Sequence, residues 1–121
     1  MTLALLSAGF DLAVCLFHIT FWRLFGWPGR LAPAGRLNAA VTQTLNIMLA
    51  YVFFATAAGI AWAVLTGHPP EAVLWAATGF WLLRMTLQPA LFPLSSRVNV
   101  AVTAVWLLGA AIHAGAVLTS P

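Results

Sequence analysis

Charge is what this sequence most lacks. It has no lysine, one aspartate (Asp11) and one glutamate (Glu71), so that 6% of its 121 residues are charged, where a soluble domain carries about a quarter. Five arginines leave a net charge of +3, too little positive surface for the broad basic face that nucleic-acid binding needs. The single cysteine, Cys15, excludes an intrachain disulfide and reads as a small buried hydrophobe. Several reaction signatures are missing as well: there is no CxxC pair, HExxH, GxSxG elbow or glycine-rich phosphate loop. No catalytic residue, metal site or cofactor follows from the sequence, and these absences weigh against an enzyme.

Apolar residues are abundant instead, at 63% of the chain with a mean hydropathy of +0.99. Spans of bilayer length fall at about 3–25, 38–66, 72–88 and 98–118, each near the ~20 residues a crossing requires. The expectation is an all-α, integral membrane four-helix bundle forming a single transmembrane domain over residues 1–121. The first span has no basic residue before it and runs on to Trp22 and Arg23, so it reads as a retained helix rather than a cleaved signal. Breaks are expected at Gly26-Trp27-Pro28-Gly29, at Gly67-His68-Pro69-Pro70 and from Pro89 to Ser96, with Pro89 ending the third helix.

Arginine placement predicts the orientation. Arg23, Arg30 and Arg36 surround the first loop and Arg84 and Arg97 bracket the third, which makes both loops cytoplasmic and puts the termini and the loop with His68 outside. Trp22 and Trp27 would belt one interface, and Trp62 and Trp75 the other.

Comparing the chain with itself at an offset of 61 aligns Arg36-Leu37-Asn38-Ala39-Ala40-Val41-Thr42 with Arg97-Val98-Asn99-Val100-Ala101-Val102-Thr103. Extended backward, Arg23 falls on Arg84 and Pro28 on Pro89, giving seven identities in the twenty positions from 23 to 42. Two repeated two-helix hairpins, about 1–61 and 62–121, are the simplest reading. Residues kept in both halves, Arg23, Arg36, Asn38, Arg97 and Asn99, would serve the shared turn, with Asn38 and Asn99 as helix caps. Alternatively, they would hold an anion at the helix N-termini.

The polar residues without a counterpart are better candidates for function. Asp11, Cys15, His18 and Trp22 recur at helical spacing on one face, and in lipid such a face must turn inward. Counting 1.5 Å per residue from the cytoplasmic edge puts His18, Gln43 and Asn46 about 7, 8 and 12 Å deep, with Arg84 and Gln88 at the edge. His18, Gln43, Asn46, Arg84 and Gln88 therefore form the candidate ligand-binding cluster. Asp11 and His113 come out about 18 and 21 Å deep, so the two form a candidate buried polar pair. His18 and His113 would lie about 14 Å apart in depth, too far to ligate one haem within the chain.

The function these features favour is a non-enzymatic accessory or structural membrane subunit, acting through intramembrane helix packing. Its partners would be the lipid bilayer and a second copy or a larger membrane complex. Small residues at helical spacing, Ala55, Gly59 and Ala63 on one helix and Ala111 and Gly115 on another, would allow close contact. The alternative is a membrane-embedded binder or carrier of a small anionic or amphiphilic ligand, such as a lipid headgroup or a quinone-like carbonyl.

Overall fold

Four long helices dominate the fold because apolar runs of this length satisfy their backbone within the segment and leave side chains free to pack. The computed structural model describes residues 1–119, which are helical with no strand among them. Helix α1 spans Thr2–Ile19 and is followed by the one-turn α2 (Phe21–Leu24) and a 3-10 turn over Gly29–Ala34. The long α3 (Arg36–Thr66), α4 (Glu71–Leu91) and α5 (Arg97–Leu118) complete the chain. Three of these, α1, α3 and α5, are long and apolar enough to cross a membrane. At 21 residues α4 is also long, but Glu71, Arg84 and Gln88 lower its hydropathy.

Two boundaries differ from the sequence expectation. The first helix stops at Ile19 instead of reaching residue 25, and the Thr20 hydroxyl donates to the Phe17 carbonyl at 2.6 Å where it stops. Pro89 does not end α4, which runs on to Leu91. A proline so near a C-terminus removes one ladder bond, and the amide of Phe92 still reaches the Gln88 carbonyl at 2.9 Å. The turn after α3 is closed by Gly67 at φ +72°, with His68 N–H on the Ala63 carbonyl and Gly67 N–H on that of Val64. That left-handed position is where glycine costs least.

Short connections make successive long helices neighbours. Accordingly α1 packs on α3 and α4 on α5, and α1 also meets α5 while α3 meets α4. Toward the Gly67–Pro70 turn the interior holds small residues, Ala4, Ala8, Ala57 and Ala116, around Ile60 and Leu74. A second core contains Val14, Cys15, Phe53, Trp81, Trp106 and Ala110. The small-residue spacings are used inside the chain: Ala63 is buried, Gly59 faces Val73 on α4 and Gly115 faces Leu3 on α1. Ala55 and Ala111 stay exposed.

Candidate functional site

The inward face of α1 carries Ser7, Asp11, Cys15 and His18, all buried. Trp22 lies past the break at Thr20, half-buried, and its indole donates to Gln43 Oε1 at 3.2 Å. Gln43 in turn donates to the Ala39 carbonyl one turn back at 3.2 Å. The candidate cluster is thus divided, with Gln43 belonging to the loop side and not to His18.

His18 and Asn46 bond reciprocally. Asn46 Nδ2 donates to the His18 carbonyl at 2.9 Å, while Asn46 Oδ1 lies 2.7 Å from His18 Nδ1. The amide is thereby oriented, so its oxygen must accept and the imidazole proton sits on Nδ1. A carbonyl in the last turn of a helix has no partner within that helix. Asn46 of α3 thereby adds a bond from a second helix to the C-terminal end of α1, where the His18 carbonyl also takes a backbone N–H. The imidazole is enclosed by aromatic rings, stacking on Phe21 at 4.7 Å with Phe53 at 5.2 Å.

Asp11 forms the second junction. Trp81 of α4 donates its indole N–H to Asp11 Oδ1 at 3.0 Å, and His113 Nε2 of α5 lies 3.2 Å from Oδ2. His113 Nδ1 is 2.8 Å from the Gly109 carbonyl, which can only accept, so Nδ1 bears a proton. A second proton must then lie between Nε2 and Oδ2. Whether it rests on the carboxyl or on the imidazole, the pair is neutral overall, and an apolar interior tolerates a neutral pair far better than an isolated charge. Three helices are tied here by one carboxyl group.

The remaining candidates are on α4. Arg84 is half-buried, with its guanidinium 5.2 Å from the centre of the Trp106 ring and 5.6 Å from that of Phe92. Gln88, one turn on, is buried rather than at an open edge. Two buried atoms lack a hydrogen-bond partner among the described residues, Gln88 Oε1 and Trp106 Nε1.

Asn38 and Asn99 do not cap their helices. Each sits at the third helical position, and its side-chain amide donates back into the preceding loop, from Asn38 to the Ala34 carbonyl at 2.9 Å and from Asn99 to that of Pro93 at 2.7 Å. Side chains in a helix tilt toward its N-terminus, which aims an asparagine there at upstream carbonyls. Arg36 and Arg97 are the first residues of α3 and α5, and both are exposed. Arg23 and Arg84 are not equivalent: the former is exposed in α2, whereas the latter lies inside α4. The first connection holds two extra short helical segments, so the sequence register cannot carry back through it.

No family model, curated protein or solved structure matches this chain.

Sequence reasoning placed Trp106 on the inward stripe of the last helix, where it is buried, but did not single out Trp81. The available signal was spacing, because Trp81, Arg84 and Gln88 recur at i, i+3 and i+7 on one face of α4. Among the described residues no group of three or more His, Cys, Asp or Glu side chains converges as a metal site would require.

Proposed function

We propose that the chain is an integral membrane protein of four crossings, an accessory or structural subunit rather than an enzyme. Its helices would be fastened by two internal polar junctions. The observation carrying this reading is that the buried ionisable groups of α1 are consumed by side chains of the other three long helices. His18 is bonded twice to Asn46, and Asp11 is divided between Trp81 and His113. In lipid, where apolar side chains gain little by meeting, interhelical hydrogen bonds worth about 0.6–2 kcal/mol each do the fastening. The outside of the helices bears large apolar side chains, including Leu45, Phe54, Trp62 and Trp75. This is a surface suited to lipid or to another membrane protein.

A fourth crossing by α4 is supported by its packing against both α3 and α5, which gives its polar residues protein neighbours. A twofold relation between the two hairpins is supported by burial. The buried positions Ala4, Ser7, Ala8, Asp11 and His18 of α1 recur at the same spacing as Leu74, Ala77, Thr78, Trp81 and Gln88 of α4.

The test is native mass spectrometry of the protein released gently from its own membrane. An assembly with other membrane subunits, or a stable homo-oligomer, is expected. A monomer whose purified form turns over a substrate, with activity lost in His18→Ala or Asp11→Asn, would overturn the proposal.

The ligand-binding alternative is favoured by one specific observation, two unpartnered buried atoms, Gln88 Oε1 on α4 and Trp106 Nε1 on α5. It would use Gln88 and Arg84 but not His18, Gln43 or Asn46, whose bonds are already made.

A further inference from the structure

Asp11 is fastened, yet it is not sealed in. Helices α3 and α4 pack together far less closely than α1 with α3 or α4 with α5, and between them lies a crevice of about 200 Å³. Val52 and Thr56 of α3 form one wall and Val73, Ala76 and Phe80 of α4 the other, while Asp11, which belongs to neither helix, forms the floor. Val52 and Ala76 are exposed, so the crevice opens on the side of the bundle, at mid-length of α3. An ionisable side chain 1% exposed at the base of an otherwise apolar cleft is the arrangement of a small-molecule site, where a few polar groups orient an apolar ligand.

The polar groups around the crevice set the chemistry of its occupant. The Thr56 hydroxyl donates to the Val52 carbonyl at 2.8 Å and the Trp81 indole to Asp11 Oδ1 at 3.0 Å, so neither has a proton left to give. The proton at Oδ2 is shared with His113 across 3.2 Å. A carboxyl group accepts at about four lone pairs, and these contacts use two. The crevice thus accepts hydrogen bonds and offers none. Its occupant has to donate. It also has to be neutral, because the Asp11–His113 pair already balances its own charge and an added ammonium would stay uncompensated. In volume the crevice exceeds a water molecule's share of about 30 Å³ several-fold and is somewhat larger than a cavity of about 150 Å³ that takes benzene. We propose that the α3–α4 crevice binds a small phenol or alcohol, which enters from the side of the bundle and donates its hydroxyl hydrogen bond to Asp11. The site lies within one chain, so it stands whether or not the protein joins other subunits.

Photolabelling of the protein in detergent tests this with two probes, a trifluoromethyldiazirinyl phenol and the corresponding toluene, in which a methyl group of similar size replaces the hydroxyl. Adducts are mapped by mass spectrometry. Those on Val52, Thr56, Val73 and Ala76 are divided by those on Leu107, an exposed residue of α5 that does not line the crevice, which removes the difference in partitioning into the micelle. The phenol is expected to exceed the toluene in this ratio by about two- to tenfold, the worth of one hydrogen bond. Equal ratios would reduce the crevice to an apolar groove, and adducts spread evenly over the exposed helix faces would remove the site. Either result overturns the proposal.

Three variants identify the place and the partner. Ala76→Phe, at an exposed position, fills the crevice and should abolish its labelling by both probes with the unfolding midpoint unchanged; labelling that persists would put the probes elsewhere and overturn the site. Asp11→Leu should keep the toluene adducts and lose the preference for the phenol. Thr56→Val removes the other acceptor side chain and should retain that preference, whereas its loss would assign the hydroxyl to Thr56 and overturn the role of Asp11. Should Asp11→Leu fail to fold, Thr56→Val still decides, because Asp11 is then the one acceptor side chain left in the crevice.

Discussion

Asp11 and His113 hold one proton between them, because the other nitrogen of the imidazole is committed to the Gly109 carbonyl. This arrangement lets a carboxyl and an imidazole sit 1% and 0% exposed in the middle of apolar helices. It also fixes the relative height of α1 and α5, since a slide of one turn, 5.4 Å, would break the contact.

Conservative and disruptive substitutions at Asp11 should therefore behave very differently. In Asp11→Asn the amide oxygen can still accept from Trp81, and the amide N–H can supply the proton that His113 Nε2 then accepts. Folding should be nearly unchanged. Asp11→Leu leaves the Trp81 N–H and His113 Nε2 without partners, a loss of about 1–3 kcal/mol for each. Unfolding midpoints in detergent provide the check. Equal loss in both variants would mean that the negative charge, rather than the shared proton, holds the junction.

The reciprocal bonds between His18 and Asn46 predict strong coupling. Asn46→Leu removes both bonds, whereas His18→Leu removes only the imidazole bond, because the His18 main-chain carbonyl can still accept from Asn46, so adding His18→Leu to Asn46→Leu should cost little more. Model membrane systems place such bonds at about 0.6–2 kcal/mol. A double-mutant cycle in detergent reports the interaction directly. Additive losses would show that the two side chains contribute separately.

The inward face of α1 was legible because a carboxyl and an imidazole in an apolar span have nowhere else to go. Depth counting likewise put Asp11 and His113 near one level, since helical rise is constant, and the side chains are 3.2 Å apart. What the counting could not show was the third member, Trp81, because an indole suits a membrane interface as well as a buried carboxylate. The cluster near His18 was legible as a level but not as a set of bonds: Gln43 turns to Trp22, and Gln88 stands apart on α4. The repeated Arg and Asn at the starts of α3 and α5 misled in the other direction. They mark equivalent helix starts, but two extra short segments in the first connection shift everything before them.

Gly109 should tolerate no side chain. A Cβ there would lie 2.6 Å and 2.8 Å from atoms of the Phe10 ring and 3.2 Å from Trp81 Cδ2. Phe10 packs edge-on against Trp81, with centroids 5.0 Å apart, and also contacts the His113 ring. It cannot move without disturbing the Asp11 junction. Overpacking of this kind costs about 1–3 kcal/mol. Gly109→Ala should lower the unfolding midpoint clearly and Gly109→Val more, whereas Gly79→Ala, with nothing within 4 Å of the added carbon, should not. A neutral Gly109→Ala would mean that the Phe10 ring is free to turn aside.

The proposed orientation in a membrane is argued from the exposed arginines. Arg23, Arg30, Arg36 and Arg97 are exposed, while Arg84 is partly withdrawn against Trp106 and Phe92. The order of the helices brings the 20–35 and 92–96 connections to one end and the Gly67–Pro70 turn to the other. Four exposed arginines at one end and no arginine at the other should retain that end in the cytoplasm, because translocating positive charge is disfavoured. In a Cys15→Ala background, Arg30→Cys, His68→Cys and Ser95→Cys can each be probed in intact cells with a membrane-impermeant maleimide. Labelling of position 68 alone is expected, with 30 and 95 reacting after permeabilisation. Because Arg30→Cys removes one of the charges that set the orientation, Pro33→Cys repeats the measurement with all four retained. Labelling of 33 and 95 in intact cells, with 68 protected, would reverse the orientation and show that these arginines do not direct it.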